Sequence, residues 1–167
     1  MLTTAQLLKK YQITANKSLG QNFLIDQNLT DKIANLAGDI KKENILEIGP
    51  GPGCLTRSII SKNPKQFLLI EKDQKFIKLL QEISASKENI IIKNDDALEI
   101  DYRNIFPEKY IIIANLPYNI ATKLIIKWLH HLSKTKKIII MVQREVAERI
   151  TATVNQKQYG RISVICN

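Results

Sequence analysis

The stretch "YIIIANLPYNIATKLIIKWL" (residues 110–129) predicts a buried strand that passes directly into an apolar helix. Its unbroken isoleucine run is typical of a strand buried on both faces of a parallel sheet. Between strand and helix stands Asn115-Leu116-Pro117-Tyr118, in which the amide and the proline break regular structure. Ligands of α/β proteins bind where parallel strands end, so this segment is either an ordinary turn or part of a binding site.

Strand and helix patterns alternate on both sides of this stretch. Apolar spacing predicts a helix over 29–37 with Asp26 as its N-cap, and another over 76–83 that Asp73 caps. Two more helices are predicted at 122–132 and 144–154, and further strands at 44–49, 67–71, 89–93, 137–143 and 159–167. The alternation predicts an α/β fold with a mostly parallel, doubly wound sheet.

The charge of the chain is unevenly distributed. The net charge of +9 divides into +3 over residues 1–23, −1 over 24–122 and +7 over 123–167. This division suggests that the middle of the chain holds a small molecule and that the basic ends face a polyanion. A merely solvated basic surface is the alternative, and charge alone does not separate RNA, DNA and anionic lipid.

Length and cysteine content indicate one cytoplasmic domain. A chain of 167 residues is of ordinary single-domain size. Cys54 and Cys166 lie far apart without metal-ligand spacing, which indicates free thiols in a reducing compartment. No apolar run approaches the roughly 20 residues that cross a bilayer, so no membrane partner is expected. His130-His131 has no third ligand nearby, and no metal is expected either.

A glycine-rich turn follows the first strand of the predicted sheet. Gly49, Gly51 and Gly53 would let the backbone approach a ligand closely ahead of a helix N-terminus. Glu71 ends the next strand 22 residues after Gly49, where a carboxylate can accept the hydroxyls of a ribose. Asp96 follows the third strand and can accept a hydrogen bond from an adenine amino group, although Asp95 is its rival.

These features in this order predict a ligand that contains adenosine. The turn reads GxGxG rather than the GxGxxG of dinucleotide sites, and it brings no cation to meet a pyrophosphate. S-adenosyl-L-methionine is therefore favoured as the cofactor. NAD remains an alternative, because a helix N-terminus can bind phosphate unaided.

The Asn115–Tyr118 turn suits the chemistry of an exocyclic amine. Such an amine on adenine is a poor nucleophile, because its lone pair is delocalised into the ring. The Asn115 amide oxygen and the Leu116 carbonyl could accept its two N–H groups and direct the lone pair at a methyl group. Pro117 would stiffen the turn and Tyr118 would stack on the base. The turn thus supplies positioning and electrostatics rather than acid–base catalysis.

Nearly the whole chain resembles the ribosomal RNA adenine N6-dimethyltransferase family, and most closely its bacterial small-subunit branch. The resemblance rests on six blocks in order: "KSLGQNFLID" (17–26), "LEIGPGPGCLT" (46–56), "NDDAL" (94–98), "NLPYNIAT" (115–122), "MVQREVAERI" (141–150) and "YGRISV" (159–164). In that family, the residues that contact S-adenosylmethionine match Asn22, Leu24, Gly49, Glu71, Asp96 and Asn115. The residues matching Asn115 and Tyr118 hold the target base.

The resemblance implies a Rossmann-like class I methyltransferase fold and a specific reaction. That reaction is the transfer of two methyl groups to N6 of each of two adjacent adenosines near the 3′ end of small-subunit ribosomal RNA, within a pre-ribosomal particle. One alternative is the erythromycin-resistance type, which methylates a large-subunit adenine. Another is a non-catalytic RNA-binding assembly factor or mitochondrial transcription factor on the same fold. DNA adenine methyltransferases are disfavoured, because no target-recognition segment is evident.

We further expect residues 1–167 to form a catalytic domain that is incomplete at its C-terminus. The family's sheet continues with a last strand, and a small helical domain that helps to grip RNA then follows. Both would lie beyond Asn167. When full length, the protein is expected to be a monomer.

Overall fold

The computed structural model describes residues 3–13 and 24–167, which contain a five-stranded, all-parallel sheet. Its strands are β1 (Asn44–Ile48), β2 (Gln66–Glu71), β3 (Ile90–Asn94), β4 (Tyr110–Asn115) and β5 (Thr135–Met141). Its α-helices are α1 (Thr4–Lys10), α2 (Gln27–Asn35), α3 (Cys54–Ser61), α4 (Gln74–Ser84), α5 (Tyr118–Leu129), α6 (Arg144–Thr151) and α7 (Arg161–Cys166). A short 3-10 helix spans Leu132–Lys134. No described helix is both long and apolar enough to span a membrane.

The strand order β3-β2-β1-β4-β5 creates a switch point between β1 and β4. From β1 the chain winds outward through β2 and β3, and it then returns to the other side of β1 as β4. In register, Ile48 pairs with Ile70 of β2 and with Ala114 of β4. The carboxyl ends of these three strands therefore meet at one edge of the sheet, where ligands bind in folds of this kind.

Each face of the sheet carries its own apolar core. Side chains alternate along each strand, so Ile45 faces one core while Leu46 faces the other. The first core includes Leu79 from α4, and the second includes Trp128 from α5. Trp128 is fully buried, which agrees with the apolar pattern of its helix. Helices thus cover both faces, as the doubly wound prediction requires.

Both predicted aspartate caps are confirmed. The Asp26 carboxylate accepts a hydrogen bond from the Asn28 amide (2.9 Å) at the start of α2. The Asp73 carboxylate accepts one from the Lys75 amide (3.1 Å) at the start of α4. Such caps satisfy amide groups that have no partner within the helix.

The predicted strand over 159–167 is wrong, because this segment forms α7. The Val164 amide donates to the Gly160 carbonyl (3.1 Å) and the Asn167 amide donates to the Ser163 carbonyl (3.0 Å), which is the helical pattern. Ser163 is fully buried, and its hydroxyl accepts from the Gly160 amide and donates to the Arg149 carbonyl at the end of α6. These contacts override the strand propensity of the apolar, β-branched run.

Candidate functional site

A cavity of about 740 Å³ opens at the carboxyl edge of the sheet. It is lined by the turn after β1, by the ends of β2 and β3, and by the turn between β4 and α5. The lining contains these predicted site residues: Leu24, Gly49, Gly51, Glu71, Asp96, Asn115, Leu116 and Pro117. The cavity therefore brings the two halves of the predicted site together. Asn22 and the side chain of Tyr118 lie outside the described part of the chain.

The glycine turn is built to lie close against β2 and α4. Gly53 has φ +77° and forms the N-cap of α3, a backbone conformation that side chains disfavour. A Cβ atom at Gly53 would lie 2.5 Å from Ile83 Cδ1 of α4. The Gly49 amide donates to the Ile70 carbonyl (2.9 Å), which ties the start of the turn to the end of β2.

Glu71 is buried at the wall of the cavity and fixes the glycine turn. Its Oε2 accepts a hydrogen bond from the Gly51 amide (2.9 Å), and its Oε1 accepts one from the Asp73 amide (2.8 Å). Burial raises the pKa of this carboxyl, and the two backbone N–H groups oppose that rise. Each carboxylate oxygen has a second lone pair that can accept a hydroxyl hydrogen.

Asp96 lies half-buried at the wall, beyond the end of β3. Its Oδ1 accepts from the Leu98 amide (2.9 Å) and its Oδ2 pairs with Lys72 Nζ (2.7 Å). The hydrogen bond from Lys72, with that from the Leu98 amide, holds the pKa of Asp96 below its usual value. Asp95 also borders the cavity but is exposed, and its Oδ1 accepts from the Asp96 amide (2.8 Å). Asp96 is therefore the more enclosed acceptor.

The turn after β4 presents an amide to the same cavity. The Leu116 amide donates to the Met141 carbonyl (3.0 Å), which anchors the turn to the end of β5. Pro117 has φ −63° and starts α5, where its carbonyl accepts from the Ala121 amide (3.2 Å). The Asn115 side chain is partly exposed and lines the cavity. Its amide is therefore available to a ligand.

Glu47 is a buried acid of the cavity wall to which the sequence analysis assigned no role. It is 1% exposed, and its Oε2 accepts a hydrogen bond from Thr56 Oγ1 of α3 (2.8 Å). Burial raises the pKa of Glu47 to about 8, and the nearby charge of Glu71 acts in the same direction. The sequence signal for Glu47 is an acid among the apolar residues Ile45, Leu46 and Ile48 of β1. Its partner Thr56, nine residues later, becomes evident only in the fold.

We expect Glu47→Gln to change how stability depends on pH. The ordinary pKa of Glu47 is 4.5 and the folded value is about 8. Between these values the unfolded chain loses a proton that the folded chain keeps, so rising pH destabilises the wild type. The variant lacks this effect, and its stability relative to the wild type should rise by about 3–4 kcal/mol between pH 5 and pH 8.

Urea unfolding at pH 5, 6, 7 and 8 checks this expectation, with the exposed Glu88→Gln as a control. Glu71 is present in all three proteins, so its own titration largely cancels in the comparison. A constant stability difference between Glu47→Gln and the wild type across this range would contradict the assignment.

The parallel sheet with its switch-point cavity defines a Rossmann-like class I methyltransferase fold, as predicted. Two solved structures share it over most of the described chain. A dimethyladenosine transferase from Plasmodium falciparum is 29% identical with a TM-score of 0.73, and the match covers 84% of this chain and 50% of that one. The 23S rRNA methyltransferase ErmE is 30% identical with a TM-score of 0.69, and the match covers 78% and 51% of the two chains.

The chain belongs to the ribosomal RNA adenine dimethylase family, whose model matches residues 12–167. Two relatives named ribosomal RNA small subunit methyltransferase A, from Ruegeria sp. (strain TM1040) and Ehrlichia ruminantium (strain Gardel), are each 44% identical to it. The alignments cover 96% and 93% of this chain. The chain spans 59% and 60% of the length of these two relatives. The family prediction is confirmed.

Proposed function

We propose that this chain carries the cofactor site and the base site of an S-adenosylmethionine-dependent rRNA (adenine-N6,N6)-dimethyltransferase. Its substrate would be two adjacent adenosines near the 3′ end of small-subunit ribosomal RNA, and its role would lie in small-subunit maturation. The observation that carries the proposal is the shared cavity, where Glu71 and Asp96 line the same space as Asn115. The names of the relatives at 44% identity support the choice of small-subunit RNA.

The residues of the cavity fit S-adenosylmethionine. Glu71 would accept the ribose hydroxyls through its remaining lone pairs, and Asp96 would accept the adenine amino group. Gly49 and Gly51 would let the backbone approach the cofactor, and Leu24 would add an apolar wall. When bound, the cofactor supplies a methyl group on a positively charged sulfur, which an amine can attack without a metal.

Positioning is the main task of the residues on the base side. The Asn115 amide oxygen and the Leu116 carbonyl would accept the two N–H groups of the target adenine. Pro117 would hold the turn rigid, and Tyr118 would stack on the ring of a base that has left its helical stack. After transfer the amine is acidic, and its proton can leave to water. Asn22 would contribute to the cofactor side.

The proposed partner is small-subunit ribosomal RNA in a pre-ribosomal particle, in the cytoplasm. The net charges of +3 on residues 1–23 and +7 on residues 123–167 support a polyanionic partner. Large-subunit RNA is a second candidate, because ErmE, titled a 23S rRNA methyltransferase, is 30% identical to this chain. The higher identity of the relatives named as small-subunit methyltransferases favours small-subunit RNA.

We expect Glu71→Ala to weaken S-adenosylmethionine binding by about 1–3 kcal/mol, because ribose hydroxyls would lose their acceptor. Calorimetric titration of the two proteins measures the difference. Glu108→Ala is the matched control, because Glu108 is exposed and pairs with Lys65 (2.6 Å) near the opposite end of β4. Absence of binding by the folded wild type would refute the proposed function, and equal binding by wild type and Glu71→Ala would refute the ribose role.

A further inference from the structure

We propose that Lys127 of α5 is a positioning residue for the adenine ring of the cofactor. It would act by fixing the segment 96–98, which carries Asp96, to the helix that follows the base-holding turn. This inference rests on the proposed function, because it assigns Asp96 to the adenine amino group.

The central contact joins two elements that are distant in sequence. Lys127 Nζ donates a hydrogen bond to the Leu98 carbonyl, and it lies 5.4 Å from the centroid of the Tyr102 ring. The Lys127 side chain is half-buried, so its ammonium group has exchanged part of its hydration for these contacts. Helix α5 begins at Tyr118, directly after Asn115-Leu116-Pro117. The contact thus connects the cofactor wall with the element that presents the base-side turn.

A second set of hydrogen bonds holds the same segment from the side of the buried core. Tyr102 Oη donates to the Ala97 carbonyl (2.8 Å), and Tyr110 Oη donates to the Tyr102 carbonyl (2.9 Å). Both tyrosines are fully buried. The carbonyls of two consecutive residues, 97 and 98, are therefore tied to the core and to α5. This arrangement leaves the segment little freedom to shift relative to the cavity.

Leu98 links the Lys127 contact to the Asp96 carboxylate. The Leu98 amide donates to Asp96 Oδ1, while the Leu98 carbonyl accepts from Lys127. A shift of Leu98 would therefore move the donor that orients the carboxylate. Lys127 also acts through charge: its ammonium group adds to the larger effect of Lys72 in lowering the pKa of Asp96. Loss of Lys127 should thus misplace the Asp96 carboxylate without abolishing ligand binding in the cavity.

Ligand discrimination separates positioning from a purely structural role. S-adenosylhomocysteine and its analogue with hypoxanthine in place of adenine differ at the position that Asp96 would read. The analogue offers a carbonyl instead of an amino group, so a well-placed carboxylate should reject it by about 5- to 100-fold. A structural defect would weaken both ligands alike, whereas a misplaced Asp96 would mainly weaken the adenine ligand.

The test measures the Kd of both ligands by calorimetry for the wild type, Lys127→Met and Lys123→Met. Lys123 is exposed on the same helix, one turn earlier, and it provides the matched control. We expect Lys127→Met to bind S-adenosylhomocysteine about 5-fold or more weakly, with a loss of less than about 2-fold for the analogue. Lys123→Met should match the wild type. Tyr102→Phe, which removes the bond to the Ala97 carbonyl, should show the same selective loss and serves if Lys127→Met does not fold.

Unchanged discrimination in folded Lys127→Met would overturn the inference, whether or not the melting temperature falls. If Lys127→Met does not fold, unchanged discrimination in Tyr102→Phe would overturn it. A wild type that binds S-adenosylhomocysteine but does not discriminate would overturn it as well, while leaving the proposed cofactor in place. A folded wild type that binds neither ligand would overturn the proposed function and this inference with it.

Discussion

Asn115→Ala in the full-length enzyme should reduce the rate of methyl transfer about 100-fold or more, and it should reduce cofactor affinity far less. The Asn115 side chain lines the cavity and is partly exposed, so we expect its truncation to leave the surrounding structure largely intact. The rate of methyl transfer falls because the target amine loses one of the two acceptors that orient it for attack on the methyl group. Single-turnover transfer of a radiolabelled methyl group to small-subunit particles, with calorimetry in parallel, separates the two effects.

The matched control for this experiment is Asn104→Ala. Asn104 is exposed in the loop before β4, and its side chain donates to Asp101 (3.2 Å) rather than facing the cavity. We expect this control to keep the wild-type rate. If Asn115→Ala also transferred methyl groups within about 2-fold of the wild-type rate, the base-holding role would be wrong.

Gly53→Ala should be the most destabilising single substitution in the cofactor turn. The new Cβ would lie 2.5 Å from Ile83 Cδ1 and 3.3 Å from Leu80 Cδ2, and it would have to adopt φ +77°. Forced close packing costs about 1–3 kcal/mol, and a left-handed backbone costs another 1–2 kcal/mol. We therefore expect a loss of about 2–5 kcal/mol in the free energy of unfolding, measured by urea denaturation.

Gly38→Ala separates the cost of the left-handed backbone from the cost of the steric contact. Gly38 has φ +80°, but no atom lies within 4 Å of the position its Cβ would take. This control therefore reports the backbone cost alone, about 1–2 kcal/mol. Equal losses in Gly38→Ala and Gly53→Ala would mean that the contact between the turn and α4 does not constrain the site.

The sequence predicts much of the fold because its strands carry strong local signals. The isoleucine runs identify β3, β4 and β5 as parallel strands, and Asp26 and Asp73 mark where helices begin. Among these three strands, burial on both faces is confirmed for the inner strand β4 only, because β3 and β5 lie at the edges of the described sheet and are partly exposed. Two segments were not predicted correctly. No helix is predicted over α1, although Thr3 and Gln6 form a capping box there, and the sequence pattern of α7 predicts a strand. In α7, packing of Ser163 against α6 outweighs local propensity.

The sequence predicts those site residues in which a suitable polar side chain stands at or just after the end of a strand. Glu71, Asp96 and Asn115 each follow or end a strand, and the parallel sheet brings all three to one cavity. The supporting residues could not be predicted in this way. Glu47 depends on Thr56 for its partner, and Lys127 contacts a carbonyl 29 residues away. Such contacts are set by the fold rather than by local pattern.

The activity proposed for this cavity is methylation of adenine N6 in small-subunit RNA. Its most direct test incubates the full-length protein and radiolabelled S-adenosylmethionine with unmethylated small-subunit particles, with large-subunit RNA and with DNA, in three separate reactions. Nucleoside analysis should recover the label as N6,N6-dimethyladenosine from two adjacent positions near the 3′ end of the small-subunit RNA. Label in large-subunit RNA, in DNA or on another base, or no transfer by a protein that binds the cofactor, would contradict the account.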